Sequence, residues 1–215
     1  MTGAPGAGDG GPVVPTPVSA LRWRTVSIEA STPAVQLARL PTLSGIGLLV
    51  RFPPGWSRPG NGSYDVAEEA LFLAGRFEMS DERFRAGDHG WFPSGYIRAG
   101  SSSTTGALAW AWFSGPNHWQ EAPADRSPTD LGRATAWVDR DERAVPELGR
   151  RARLLSQEEG RTSMVVDSLP EPVEVGADLR GIEVFDLATH AVAAIPAGGR
   201  LPALPVGPVI VVVVR

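Results

Sequence analysis

Three histidines, at positions 89, 118 and 190, are the imidazoles of a 215-residue chain with no cysteine and no lysine, whose cations are twenty arginines. These counts exclude thiol nucleophiles, disulfides, thiolate metal sites, Schiff-base lysines and a phosphate-loop lysine. A three-histidine metal centre would have to recruit every imidazole in the chain. Two further groupings carry no chemistry. Ser101-Ser102-Ser103-Thr104-Thr105 reads as a polar hairpin turn with no histidine beside it to act as base. Gly45-Ile46-Gly47 lies within a strand-like run and not at a strand-to-helix turn, so it is no nucleotide fingerprint. A net charge of −4 argues against nucleic acid or an anionic membrane as partner, and the absence of disulfides fits a cytoplasmic protein.

The elements that must position any site are strands. Short runs rich in Val, Ile, Leu, Trp and Phe recur about every ten residues between Gly/Pro turns, the spacing of a sandwich or barrel. They include Gly47–Phe52, Ala70–Phe77, Ala107–Phe113, Thr162–Val166, Gly181–Leu187 and Pro208–Val214. The last holds the continuous apolar run Val209 to Val214, far below the roughly 20 residues that span a bilayer. Residues 1–19, rich in Gly and Pro and without the charged and apolar regions of a leader, read as a disordered tail. The charge-dense stretch Asp139–Arg153 reads as linker with a short helix interrupted by Pro146, and His190 as a half-buried strand residue.

The chain also repeats itself. Ala38-Arg39-Leu40 recurs as Ala152-Arg153-Leu154, and Phe92-Pro93-Ser94-Gly95, followed by Gly106 and a strand, as Ile195-Pro196-Ala197-Gly198, Gly207 and a strand. The expected organisation is a tail at 1–19, a β unit at 20–118, a linker at 119–144 and a second β unit at 145–215.

Two stretches carry a family likeness: Glu68-Glu69-Ala70-Leu71-Phe72-Leu73-Ala74-Gly75-Arg76-Phe77, and Gly87 through Pro93-Ser94-Gly95 to Arg98. They resemble the two conserved motifs of the cupin superfamily. With the Arg51 to Trp56 lead-in, they are similar to bicupins related to the cupin domain of zinc anti-sigma factors and to acetylacetone-dioxygenase-like enzymes. The likeness implies an all-β fold, a double-stranded β-helix barrel present twice, and by analogy a homodimer. Gly75 and the Pro93-Ser94-Gly95 corner supply turns that aim the next side chain into a barrel.

The departures from the family pattern decide the chemistry. Its two motif histidines fall at Gly62 and Tyr64, its glutamate at Glu68 and its third histidine at Arg98; the second unit has Leu201 at the matching position. A guanidinium has no free lone pair and repels a cation, so neither metal nor cofactor is expected. The resemblance instead places Glu68 and Arg98 face to face across a barrel mouth. Arg98 would hold a carbonyl, enolate or carboxylate oxygen, Tyr64 would donate a second hydrogen bond, and Glu68 would orient Arg98 or act as base.

Seven tryptophans form either a large core or a pocket wall. With the former metal strand facing inward, Trp56, Phe72, Trp91, Trp110 and Trp112 surround the Arg98 site and bind an apolar, oxygenated small molecule. His118 is placed in a Pro-rich exit loop able to line the pocket mouth. The resulting expectation is a metal-independent cyclase, isomerase or lyase of secondary metabolism. The alternatives are a non-catalytic ligand sensor, weakened because no helical partner domain precedes the barrel, and a metal-dependent dioxygenase with a different ligand set that includes His89.

Overall fold

Alternation of apolar and polar residues along short runs produces strands and, among the described residues, no α-helix. The computed structural model describes residues 13–123 and 142–215. Its first part contains β1 (Thr16–Pro17), β2 (Trp23–Val26), β3 (Val35–Arg39), β4 (Ile46–Phe52), β5 (Trp56–Arg58), β6 (Gly62–Tyr64), β7 (Glu68–Met79), β8 (Glu82–Arg85), β9 (His89–Phe92), β10 (Ser101–Ser103), β11 (Ala107–Phe113) and β12 (Trp119–Glu121). Its second part contains β13 (Glu142–Val145), β14 (Arg150–Glu158), β15 (Arg161–Val166), β16 (Val173–Glu174), β17 (Gly181–Asp186), β18 (Ala191–Pro196), β19 (Arg200–Leu201) and β20 (Val209–Val214). No helix of the described residues is long and apolar enough to cross a membrane.

Each part curls into a half-barrel, and the two share a five-strand order. The order β2-β3-β4-β11-β7 in the first sheet corresponds to β13-β14-β15-β20-β17 in the second. The Ala-Arg-Leu echo does not fall on equivalent places: Ala38 lies near the end of β3 and faces the seam, whereas Ala152 lies near the start of β14 and faces the interior of the second part. The Pro-x-Gly echo does, with φ +74° at Gly95 and +72° at Gly198, the left-handed region that glycine enters without penalty.

Five further expectations need correction. Thr16–Pro17 is not a loose tail but pairs antiparallel with β18 at Ala191 and Val192, so the N-terminal segment docks on the second barrel; residues 1–12 lie outside the described part. Within the expected linker, Trp119–Glu121 pairs with β6, and Glu142–Val145 turns through a 3-10 segment, Pro146–Leu148, to pair with β14. Pro146 opens that turn and Gly149, at φ +62°, closes it, so the proline reverses the chain and interrupts no helix; residues 124–141 lie outside the described part. Ser101–Ser103 is a strand between β5 and β7. His190 is an exposed turn residue at φ +52° between β17 and β18.

Strand alternation divides the apolar residues into three layers. The first barrel is filled from its inner face by Phe72, Phe77, Phe84 and Phe92, the second by Leu169, Ile182, Ile195, Leu201 and Val211. Between the barrels lie Leu71, Trp110 and Trp112 of the first and Val165, Ile210 and Val212 of the second.

Through this apolar seam runs one buried polar cluster. Glu69, fully buried on β7, accepts hydrogen bonds from Arg161 Nη1 at 2.6 Å, from Ser156 Oγ at 2.9 Å and from Ser163, while His89 Nε2 stands 2.8 Å from its Oε1. Arg161 also lies over Trp112, its Cζ 3.9 Å from the ring centroid. A second carboxylate from the far side, Glu183, accepts from the backbone N–H groups of Leu43 and Ser44 at 2.5 and 2.9 Å. Burial alone would raise the Glu69 carboxyl, but the Arg161 guanidinium, His89 and Ser163 together hold it at about 2, below its ordinary 4.5. Burial dominates at Glu183 and pushes its carboxyl up against those same N–H donors.

A depressed folded-state value means that Glu69 stabilises the fold fully above pH 4.5 and loses that contribution as pH falls toward 2, on the order of 3 kcal/mol. Chemical denaturation across that window should show falling stability in the wild type and a flatter acid limb in Glu69→Gln. Parallel limbs would mean that Glu69 is not the group responsible.

Candidate functional site

The inner face of the first barrel encloses a cavity of about 250 Å³. Its walls are apolar because alternate residues of the long strands point inward: Ala109, Ala111 and Phe113 from β11, and Ala70 and Phe72 from β7. A bulge at Leu73, where Leu108 and Ala109 of β11 pair with Ala74 and Phe72, changes the inward parity of β7, so that Phe77 and Met79 also face the cavity. The small alanines on β11 keep the volume open, while Phe52, Trp56, Phe77, Phe72 and Phe84 form a chain of ring contacts with centroids 4.7 to 5.6 Å apart.

One part of this wall is polar. Glu68 on β7 and Arg98, after the Pro93-Ser94-Gly95 corner, form a buried ion pair through Arg98 Nη2 and Glu68 Oε2. Arg98 reaches its place because its backbone bridges to Gly62, donating to that carbonyl at 2.8 Å and accepting from its N–H at 3.0 Å. The guanidinium lies 4.9 Å from the Tyr64 ring centroid and 4.7 Å from that of Phe92, and its Nε has no hydrogen-bond partner among the described residues.

On the other side of Tyr64 stands a second guanidinium that the sequence reading did not select. Arg58, 3% exposed, donates through Nε to the Glu29 carbonyl at 3.1 Å and through Nη1 and Nη2 to Tyr64 Oη at 3.2 and 3.3 Å. It stacks on Trp119, 4.0 Å from the ring centroid, but has no carboxylate partner among the described residues. The signal was the alternation in Trp56-Ser57-Arg58, which places positions 56 and 58 on the same face of β5.

Five of the eight selected residues therefore share this cavity: Glu68, Arg98, Tyr64, Trp56 and Phe72. Trp91, Trp110 and Trp112 do not line it, and the expectation that they form the pocket wall is corrected. They point out of the opposite face of the sheet into the seam, where Trp91 stacks on Trp112 at 6.3 Å and the Trp112 indole N–H donates to the Ser44 carbonyl. The inward positions of β11 are Ala109, Ala111 and Phe113, which alternate with the tryptophans. Tyr64 accepts hydrogen bonds from Arg58, a partner not anticipated for it. His118 is exposed and pairs with Asp65 at 3.0 Å, holding that carboxyl below its ordinary value chiefly through the His118 backbone N–H; its neighbour Asn117 is the residue that lines the cavity.

No family model matches this sequence, and no curated protein matches it. Solved structures do. A candidate dioxygenase from Nostoc punctiforme PCC 73102 superposes with TM-score 0.72 at 11% identity over 94% of this chain and 82% of that one. AerE from Microcystis aeruginosa superposes with TM-score 0.50 at 10% identity over 91% of this chain and 98% of that one. These structures share a double-stranded β-helix barrel. The chain has the cupin fold, in two copies.

The cupin fold implies a metal, and the side chains at this site do not fit one. At the four positions where the sequence likeness puts ligands stand a glycine, a phenol, a carboxylate and a guanidinium, and the carboxylate is already bound by the guanidinium. A Cβ on Gly62 would fall 2.4 Å from a Trp119 ring carbon and 2.6 Å from the Gln120 carbonyl oxygen, so the indole fills the space in which a ligating side chain would stand. His89 cannot substitute, because it faces the seam and contacts Glu69. Among the described residues no three His, Asp or Glu side chains converge as a metal cluster.

Gly62→Ala should lower stability by about 1–3 kcal/mol through this overlap. In the Trp119→Ala background the same substitution should cost less, a non-additivity that denaturation of the four variants measures. Equal losses in both backgrounds would show that Trp119 is not what closes the position.

Proposed function

We propose that this chain is a metal-independent cupin-fold enzyme of the cyclase, isomerase or lyase type, which shapes and activates an apolar, oxygenated small molecule in the first barrel. The observation that carries this reading is the Glu68–Arg98 pair inside an otherwise apolar cavity, at the place where the fold otherwise carries ligands. A carboxylate grips one nitrogen of Arg98 and two aromatic faces flank its plane, so the cation is held in one orientation before a ligand arrives. Its Nη1, which makes no hydrogen bond to a described residue, is a donor for a ligand oxygen. A preorganised donor of this kind is worth about 100- to 1000-fold in rate where negative charge develops on that oxygen. Glu68 orients Arg98, and the aromatic wall from Phe52 to Phe84 excludes water and selects a folded conformation of the ligand.

Two measurements test this. Inductively coupled plasma mass spectrometry on folded, tag-free protein should find no stoichiometric transition metal before or after chelation; one equivalent of iron or zinc that activity requires would replace this reading with the dioxygenase alternative. Acetophenone, used as a neutral probe, should show a lower carbonyl stretching frequency when bound to the wild type than when bound to Arg98→Met. An equal frequency in the two would remove Arg98 from the activating role.

A further inference from the structure

The polar end of the cavity has more charge and more donors than its own side chains can use. Two guanidiniums line it and one carboxylate does, and that carboxylate is committed to Arg98. Arg58 is left as a buried cation whose acceptors are neutral, the Glu29 carbonyl and Tyr64 Oη, with Trp119 stacked on its face. A stacked indole stabilises a guanidinium less than the loss of water destabilises it, so an uncompensated charge remains.

The unpaired hydrogen-bonding atoms point the same way. Tyr64 Oη accepts both Arg58 contacts, and no described residue accepts the proton of its own hydroxyl. Arg98 donates to Glu68 through Nη2 only, so its Nη1 is a second unused donor at this end of the cavity. Both are donors. A donor without an acceptor in an apolar enclosure is costly, and two of them beside an uncompensated cation specify a ligand that brings acceptor oxygens and negative charge.

We propose that the ligand of this cavity is an apolar monoanion, a carboxylate or an enolate, whose charged oxygen is held by Arg58 and the Tyr64 hydroxyl while its apolar body lies against the aromatic wall. This rests on the functional reading above and narrows it: Arg58 and Tyr64 bind the anionic group, leaving Arg98 for the second oxygen at which charge develops. A cavity of about 150 Å³ accommodates benzene, so about 250 Å³ suits one ring or a short chain with its head group. The Arg58 and Tyr64 pairing also explains why Tyr64 is oriented by two N–H groups: the phenol is turned so that its proton is the free end.

The test compares matched acid and amide probes on the full chain at pH 7 by isothermal titration calorimetry: hexanoate with hexanamide, phenylacetate with phenylacetamide, and 3-phenylpropanoate with 3-phenylpropanamide. At least one carboxylate should bind about tenfold tighter than its amide, and acetate, lacking the apolar body, should bind more weakly than any of them. Arg58→Met should abolish that preference. Should Arg58→Met fail to fold, Tyr64→Phe, which removes only the hydroxyl, should weaken the carboxylate several-fold more than the amide. Equal affinities for acid and amide, no binding of any probe at millimolar concentration, or an acid preference unchanged in Tyr64→Phe and Arg58→Met would overturn the proposal. The acetophenone measurement uses a neutral ligand and reads Arg98 alone, so the anion assignment can fail while the activating role of Arg98 stands, and the reverse.

Discussion

Two carboxylates one residue apart on β7 point in opposite directions, and each meets a buried guanidinium. Glu68 faces the cavity and holds Arg98; Glu69 faces the seam and holds Arg161 from the other barrel. A strand has a side-chain period of two, so adjacent residues cannot share a face. The Glu-Glu pair is thus one device with two tasks, fixing a cation in the pocket and fastening one barrel to the next. Removing one partner of such a buried pair leaves a charge without water, typically a loss of about 3–5 kcal/mol, so neither guanidinium can leave its carboxylate cheaply.

The seam shows how a polar cluster can sit inside an apolar layer. Ser156, Ser163, His89 and Arg161 together satisfy Glu69, and Arg161 lies over the Trp112 ring. Glu183 reaches back to pin the loop before β4, and the Trp112 indole N–H closes on the Ser44 carbonyl in the same loop. Because directional bonds of this kind have few alternative arrangements, they set the register of barrel on barrel, which the leucines and valines around them would leave free to slide. With β1 crossing from the N-terminal segment to β18, the two barrels are linked at both the seam and the sheet edge.

Inside the barrels the same framework has diverged. The second is filled with Leu169, Ile182, Leu201 and their neighbours, Leu201 lying near the place that Arg98 takes in the first. The first keeps alanines on β11 and an open volume, and fills one position of the ligand pattern by an approach from another strand, the Trp119 indole against Gly62. What remains is an apolar chamber with a cationic, donor-rich end built from Arg58, Tyr64 and Arg98.

The strand runs, the doubled organisation, the positive-φ glycine corners and the meeting of Glu68 with Arg98 were legible in the chain, because turn chemistry and period-two alternation are local and the motif spacing was preserved. Local alternation also grouped Trp110 with Trp112 correctly. It carries no sign, however: nothing within β11 says which face is the cavity and which the seam, and the placement of Trp91, Trp110 and Trp112 was decided by the second barrel packing on that face. Arg58 was missed for a related reason. Its importance lies in what it lacks, a carboxylate partner, and whether a cation is paired depends on residues brought together from distant strands. By itself the sequence determined the barrels and their turns; only the tertiary structure decided which faces would be walls, because burial and charge compensation are properties of the assembled layers.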